Sequence, residues 1–384
     1  VEDETSDPAE SGLVQQRYQL HALIREFFAA KLQGRADAED LRRSFAVALT
    51  AVAKTIPQIV TLEVQERVKE ALPHLEVVAE QWSHLLEDST EAIGSFTSLV
   101  LVAREQSLWT EAEKWLKACL QMTEQRCGAE HPGTATSLNN LAELYRAIGR
   151  YPETEPLLVR AIAIKKEQLG TDHPITANSL NNLAHLYCVM GRYPEAKLLF
   201  VRSLSIKEQQ LGADHPDTAG SLNNLADLYH TMGCYPEAEP LYVRSLSIWE
   251  QQLGADHPHT ASSLNNLAGL YKDMERYQEA EPLYVRSLSI HEQKLGADHP
   301  LTATSLSNLG WLYHAMGCYR EAEPLYLRAL KIFFKQLGEN HPNTQTVWSN
   351  FIYCLREAMS AGQDSELSQH PTTQGILQQL REMD

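Results

Sequence analysis

Several features that mark common classes of protein are missing from this chain of 384 residues. It has no apolar run near the roughly 20 residues that a membrane-spanning helix needs. It also lacks the phosphate-binding loop GxxxxGK[ST], the serine nucleophile motif GxSxG and the zinc-protease motif HExxH. We therefore predict that the chain is not an enzyme and holds no cofactor. Any nucleotide would bind to a domain encoded upstream of Val1, because a chain that does not begin with Met suggests a piece of a longer protein.

Basic residues are also scarce, since 33 Lys and Arg face 50 Asp and Glu and give a net charge of −17. Nucleic acids and anionic membranes bind clustered Lys and Arg, so we predict neither as a partner. The simplest role of the acidic excess is solubility. Residues 1–12 are acidic and show no signal-peptide pattern, which indicates a flexible start and a cytoplasmic protein.

The dipeptide His-Pro recurs at a constant interval of 42 residues. A block similar to TAxSLNNLAxLY follows each occurrence, and then a turn and a block similar to YPEAEPLYVRSLSIxEQQLG. Such self-similarity at a fixed period predicts a tandem repeat architecture. The six histidines are His131, His173, His215, His257, His299 and His341.

The first block of each unit has helical periodicity. In the first unit, an apolar stripe at i, i+3, i+4 and i+7 consists of Leu138, Leu141, Ala142 and Tyr145. Proline after the histidine suits the first position of a helix, and glycine at 149 suits its end. The histidines therefore predict helix caps, and their separation across repeats argues against a metal site.

The second block predicts a second helix that begins near Pro152 and ends at Gly170. In the third unit its buried stripe is expected to be Ala238, Leu241, Tyr242, Ser245 and Ile248. A further proline, which recurs at 156, 240, 282 and 324, is expected near the first turn, where it removes at most one backbone hydrogen bond.

The repeated residues resemble a known family. In the second unit they are Leu180, Leu183, Ala184, Tyr187, Ala196, Phe200 and Ser203. This pattern is similar to tetratricopeptide repeats of the 42-residue kind found in kinesin light chains. The resemblance implies an all-α fold, a right-handed α-solenoid of stacked helix-turn-helix repeats. It also implies a concave groove that binds a peptide or protein ligand.

The repeats divide the chain. We predict a helical N-terminal region at 13–88, a degenerate repeat at 89–130 and five full repeats at 131–340. A half repeat with a capping helix at about 375–382 completes the chain at 341–384. The segment from Tyr18 to Leu32, YQLHALIREFFAAKL, resembles the end of the winged-helix region of NB-ARC or STAND signalling ATPases.

This second resemblance leaves three contexts open. The chain could be the sensor arm of a STAND-type ATPase, a free-standing adaptor or assembly scaffold, or an isolated or engineered array without a ligand. An upstream phosphate-binding loop would distinguish the first from the others.

Six cysteines are scattered without a CxxC pair: Cys119, Cys127, Cys188, Cys234, Cys318 and Cys354. No zinc site is expected from them. Cys234 and Cys318 occupy the same place in non-adjacent repeats, which separates them by more than the roughly 7 Å between Cα atoms that a disulfide allows. Reduced thiols fit a cytoplasmic protein.

In the tetratricopeptide architecture, the face of the first helix opposite the Leu/Tyr stripe lines the groove. Each repeat has two adjacent Asn residues there, except that Ser307 replaces the first Asn in the fifth repeat. Two positions that vary between repeats follow one and two turns later. The candidate ligand-binding residues are Asn139, Asn140, Glu143, Arg146, Asn181, Asn182, His185, Asn223, Asn224, Asp227, His230, Asn265, Asn266, Lys272, Asn308, Trp311 and His314.

The two Asn rows have two possible roles. An Asn amide can both donate to and accept from the backbone of an extended peptide, and the variable positions would then select its side chains. Alternatively, the Asn side chains bond to neighbouring helices and hold the stack together, and this alternative is stronger for the second row. Trp311 could be either a core residue or a groove anchor.

Overall fold

A computed structural model describes residues 37–53, 77, 93, 96–97, 100–101 and 109–383. The segment from Tyr18 to Leu32 and most of the predicted N-terminal region lie outside these residues. The helices are α1 (Ala38–Ala53), α2 (Trp109–Cys127), α3 (Pro132–Ala147), α4 (Tyr151–Leu169), α5 (Pro174–Val189), α6 (Tyr193–Leu211), α7 (Pro216–Thr231), α8 (Tyr235–Leu253), α9 (Pro258–Asp273), α10 (Tyr277–Leu295), α11 (Pro300–Ala315), α12 (Tyr319–Gln336), α13 (Pro342–Ser360) and α14 (Pro371–Met383).

From α2 to α13, each helix packs against its neighbours in sequence. The core is continuous across repeats: Ala142 and Leu158 of the first repeat form one cluster with Leu180, Leu183 and Ile206 of the second. A core shared between consecutive units is the defining feature of a solenoid. The predicted all-α solenoid is confirmed. No helix in the described part of the chain is long and apolar enough to cross a membrane.

The His-Pro pair caps each first helix as predicted. The proline stands in the first turn, and the histidine Nδ1 atom accepts a hydrogen bond from the backbone N–H two residues later. In α3 this bond joins His131 to Gly133 at 3.0 Å, and in α7 it joins His215 to Asp217 at 3.1 Å. The cap satisfies one of the helix N–H groups that has no partner within the helix.

The final helix begins earlier than predicted. His370 and Pro371 form a seventh His-Pro pair outside the 42-residue register, and His370 Nδ1 accepts from the Thr372 N–H at 3.3 Å. Because this pair caps the helix, α14 begins at Pro371 and not at about 375.

The recurrent proline of the second helices also lies later than predicted. Pro156 is the sixth residue of α4, because the helix begins at Tyr151. It therefore stands in the second turn and not in the first. The equivalent prolines of α8, α10 and α12 occupy the same position. Each removes one backbone donor from its helix.

A left-handed residue ends the first helix of each repeat. Gly149 has φ 78°, and the next residue donates its N–H to Tyr145 O at 2.8 Å. This is the arrangement that favours glycine at a helix end. In the fourth repeat the position is taken by Glu275 with φ 59°, the only non-glycine residue with positive φ in the described segments.

We expect Glu275→Gly to raise the free energy of unfolding by about 1 kcal/mol, because a side chain is disfavoured in the left-handed conformation. Chemical denaturation would measure the change. The reverse substitution at the equivalent position, Gly233→Glu, should lower stability by a similar amount. Equal stability of Glu275→Gly and the parent chain would show that the turn relaxes around Glu275.

Charged groups join consecutive repeats. The hydroxyl of Tyr145 donates to Glu113 at 2.9 Å, and Arg150 contacts the same carboxylate at 2.7 Å. The Arg150 guanidinium also lies 4.1 Å from the centre of the Tyr145 ring. The same three residue types meet between the first and second repeats and between the third and fourth, at Glu155, Tyr187 and Arg192 and at Glu239, Tyr271 and Arg276.

Two junctions carry different residues. Between α10 and α11, Glu281 accepts from the Tyr313 hydroxyl at 2.7 Å, but Cys318 takes the place of the arginine. Between α6 and α7, Lys197 takes the place of the glutamate and Cys234 that of the arginine. The Lys197 Nζ atom lies 5.0 Å from the centre of the Tyr229 ring. A cation from the preceding repeat therefore contacts Tyr229, whereas an arginine of the tyrosine's own repeat contacts Tyr145, Tyr187 and Tyr271.

Residues 361–383, which we call the C-terminal cap, cover the end of the solenoid. Leu367, Leu377 and Leu380 pack into one cluster with Phe351 and Leu355 of α13. The buried Glu323 carboxylate of α12 accepts hydrogen bonds from the Ser368 N–H and hydroxyl and from the Thr373 hydroxyl. The cap thus supplies donors at the register where Tyr and Arg of a following repeat stand in earlier units.

Candidate functional site

The structure brings part of the predicted site together. A cavity of about 400 Å³ opens between α3 and α5, the first helices of two consecutive repeats. Every residue that lines it was a predicted ligand-binding residue. They are Asn139, Asn140, Glu143, Arg146, Asn182 and His185. We call the face of the first helices that carries these positions in each repeat the groove.

The charges in this cavity are balanced. Arg146 pairs with Glu143 one turn earlier on the same helix. The ring of His185 meets Phe200 edge-on with ring centres 5.0 Å apart. Burial and the nearby Arg146 lower the pKa of His185, so its imidazole is neutral at physiological pH. The cavity therefore offers hydrogen-bonding groups without a large net charge.

The first Asn row lies deeper than predicted. The Asn139 amide donates to Ser179 of the next first helix at 3.2 Å. Asn181 is only 8% exposed, so most of its side chain lies below the groove surface. The Asn139 hydrogen bond favours the stacking role for that residue.

The second Asn row is mixed. Asn182 is exposed and lines the cavity, whereas Asn140 donates to Thr97 at 3.3 Å. Asn266 donates to the side-chain oxygen of Asn223 at 3.0 Å and so links α9 to α7. The remaining members, Asn224 and Asn308, are half-buried, as is Asn265 of the first row.

In the middle of the groove, the carboxylates of Asp227 and Asp273 contact donor groups of the protein itself. Asp227 accepts from the Asn223 amide at 2.9 Å and from the Tyr242 hydroxyl of α8. Burial raises the pKa of Asp227, and the tyrosine hydrogen bond opposes this effect. The imidazole of His230 lies 2.7 Å from Asp273, which Lys272 also contacts at 2.9 Å.

Aromatic rings form the C-terminal end of the groove. Trp311 is half-buried and stacks on Tyr353 of α13, with ring centres 6.1 Å apart and planes 30° apart. Lys272 Nζ lies 5.6 Å from the centre of the Trp311 ring. The predicted groove residue His314 is only 8% exposed, because Trp311, Tyr319 and Tyr353 surround its ring.

Sequence reasoning missed Tyr353. It stands 42 residues after Trp311 and is 47% exposed, so it continues the row of Glu143, His185 and Asp227 onto the sixth first helix. The sequence could have indicated Tyr353, because His341–Pro342 fixes the 42-residue register of α13. The contact of Tyr242 with Asp227 could not be predicted from the sequence, because it joins two helices.

No cluster of three or more His, Cys, Asp or Glu side chains that could hold a metal ion occurs in residues 109–383 or the shorter described segments. The six cysteines are free thiols. Burial raises the pKa of Cys188, on the groove helix α5, to about 11, which leaves its sulfur protonated.

Comparison with known proteins gives the family. A tetratricopeptide repeat model matches residues 91–167, 140–209, 175–233, 217–284 and 260–335, which together span well over half of the chain. No match was found among curated protein sequences.

Among solved structures, a putative kinesin light chain from Podosopora anserina with nearly identical TPR-like repeats is 30% identical. The match covers 54% of this chain and 98% of that one, with a TM-score of 0.46. BtubC (BKLC) from P. vanneervenii is 23% identical, with 60% and 89% coverage and a TM-score of 0.48.

The apo form of the quorum sensor NprR from B. thuringiensis is similar over more of the chain. It is 16% identical, and the match covers 90% of this chain and 96% of that one with a TM-score of 0.51. This likeness concerns the fold alone. The repeat match, the His-Pro caps and the shared core agree, and the chain belongs to the tetratricopeptide repeat family.

Proposed function

We propose that the groove binds an extended peptide or a protein segment and that the chain is a non-catalytic interaction scaffold. The observation that carries this proposal is the cavity of about 400 Å³ between α3 and α5, which six predicted groove residues line. Exposed amide and paired ionic groups suit a polypeptide backbone, which presents alternating donors and acceptors. The half-exposed aromatic rings of Trp311 and Tyr353 add apolar contact area at the other end.

The dimensions favour a ligand of about a dozen residues. An extended chain advances about 3.3 Å per residue. The ligand would cross the five first helices of the full repeats, which stand about 8–10 Å apart when packed. A random library of dodecapeptides displayed on phage is therefore a suitable probe. Absence of any enriched peptide on the full chain would count against the proposal.

We expect Asn182→Ala to weaken binding of a selected peptide about twofold to tenfold, the net value of one neutral hydrogen bond. Isothermal titration calorimetry with the synthetic peptide would measure this. Asn343→Ala is the matched control, because Asn343 is an exposed Asn on α13, outside the residues that line the cavity. Unchanged affinity of Asn182→Ala would place recognition elsewhere.

Asn139→Ala tests the alternative role of the Asn rows. Its amide bonds to Ser179 of the next repeat, so its loss should lower the free energy of unfolding by about 1 kcal/mol. Reduced affinity without reduced stability would instead assign Asn139 to the ligand.

We also propose, on the likeness of Tyr18–Leu32 alone, that the scaffold is the sensor arm of a STAND-type signalling ATPase. The support is a sequence resemblance outside the described residues. The alternative is a free-standing adaptor like the kinesin light chains. Reading the upstream coding sequence tests this context: a phosphate-binding loop module would support it, and a start codon beside Val1 would contradict it.

A further inference from the structure

One groove position lacks a side chain. The row that carries Glu143, His185, Asp227, Trp311 and Tyr353 on the other first helices carries Gly269 on α9. A Cβ atom at Gly269 would meet only one atom within 4 Å outside the local helix, the Tyr284 hydroxyl oxygen at 3.4 Å. Packing therefore does not require glycine here, and the groove has a gap at this point.

Identified side chains surround this gap. Tyr284, which is 4% exposed, places its hydroxyl beneath Gly269. Lys272 stands one turn along α9, and its Nζ atom lies 5.6 Å from the centre of the Trp311 ring on α11. On the other side, α7 carries Asp227 at the same register, and Asn266 joins α9 to α7. By register, positions on three consecutive first helices therefore flank the gap.

The carboxylates around the gap already have donors within the protein. Asp227 accepts from Asn223 and Tyr242, and Asp273 contacts both His230 and Lys272. A ligand group that enters the gap is therefore not needed to supply a hydrogen-bond donor to these carboxylates. What remains is empty space, and a bulky ligand side chain that filled it would bury apolar surface against Trp311.

We propose that the gap at Gly269 is the specificity-determining subsite of the groove and that it receives a large apolar side chain of the bound peptide. This inference rests on the proposed peptide-binding function. The neighbouring positions carry Asp227 and Trp311, so they leave less room and accept smaller ligand residues. The gap thus fixes the register of a peptide along five nearly identical repeats.

The test uses dodecapeptides selected from the random phage library on the full chain. Selected peptides are expected to share a large apolar residue at one position, and replacing it with alanine in the synthetic peptide should weaken binding tenfold or more. Gly269→Leu fills the gap and should weaken the parent peptide to the same extent. In a double-mutant cycle, the alanine peptide should then bind the parent chain and Gly269→Leu nearly equally.

Folding is controlled separately. Gly269→Ala should increase thermal stability, because alanine favours a helix interior over glycine, and yet it should weaken binding measurably. If Gly269→Leu does not fold, Gly269→Ala decides the question. Gly375→Ala makes the same change in α14, outside the groove, and should leave affinity unchanged.

The outcomes separate the two proposals. Selected peptides that bind Gly269→Ala and Gly269→Leu as well as the parent chain would overturn the subsite and leave the peptide-binding function standing. Selected peptides without a shared large residue would also overturn the subsite. If no peptide is enriched on the parent chain, the proposed function fails and the subsite fails with it.

Discussion

Replacing Glu323 with alanine is expected to release the C-terminal cap and to lower the free energy of unfolding by about 2–4 kcal/mol. The carboxylate is 2% exposed, and Ser368 N–H and Thr373 hydroxyl donate to it at 2.8 and 2.6 Å. The Ser368 hydroxyl donates as well. Without Glu323 these donors lose their acceptor, and a buried donor without a partner costs more than the bond itself contributes.

Limited proteolysis would measure this release, because an unlatched cap exposes the connection at 361–370 to cleavage. Glu323→Gln keeps one acceptor oxygen and should cost less. Glu281→Ala is a matched control in the preceding repeat, where the carboxylate accepts from Tyr313 at 2.7 Å and is less buried. Equal protease resistance of Glu323→Ala and the parent chain would show that apolar packing alone holds the cap.

Lowering the pH from 7.5 to 5 is expected to reduce the free energy of unfolding by about 2–4 kcal/mol. Burial lowers the pKa of five histidines in the folded chain. Two of them cap helices, and three lie between helices. They are His185, His257, His291, His299 and His314.

The direction of this change in stability follows from the linkage between folding and proton binding. Because the folded state resists protonation of these rings, the unfolded chain binds more protons as the pH falls below about 6.5, the ordinary pKa of histidine. Their stabilising contribution is complete above that pH and is lost as the pH falls toward the lowered pKa. A protonated cap also loses its acceptor, since Nδ1 then carries a hydrogen.

A carboxylate whose pKa is lowered in the folded chain keeps its stabilising contribution in this range, since that contribution is lost only below its ordinary pKa of about 4. Hydrogen bonds from Lys117, Tyr145 and Arg150 lower the pKa of Glu113 to about 2, so it stays ionised at pH 5. Asp227, whose pKa is raised by burial, acts in the opposite direction.

Urea denaturation at several pH values would measure the slope of the free energy of unfolding against pH. His299→Asn keeps a side-chain acceptor at the start of α11 without a titrating ring, so it should reduce the slope and change stability little at pH 7.5. A free energy of unfolding that stays constant from pH 7.5 to 5 would contradict the burial of these histidines.

The 42-residue period allowed most of the fold to be predicted. His-Pro pairs and glycines mark helix ends through local backbone chemistry, so the boundaries of α3 to α12 follow closely from sequence. The later start predicted for α14 reflects a cap, at His370, that stands outside the repeat. The position of Pro156 in the second turn depends on where Tyr151 opens α4.

The site was less predictable, because adjacent residues on one helix differ by only about 100° in direction. Asn181 and Asn182 are neighbours, yet one is buried and the other is exposed. The rotation of α5 against α7 decides between them, and periodicity does not fix that rotation closely enough. Contacts between helices, such as Tyr242 with Asp227, require the packed structure.

The unusual junction at Lys197 bears on how a chain of nearly identical units assembles in the correct order. If α9 docked on α6 and skipped the third repeat, Lys197 would meet Arg276 where Arg276 normally meets the Glu239 carboxylate. Two cations would then face each other, and the misassembled intermediate would be disfavoured by repulsion. The presence of Lys197 and Cys234 in place of Glu and Arg thus makes this interface chemically distinct from the others. That distinction disfavours misfolded intermediates in a polypeptide of nearly identical repeats.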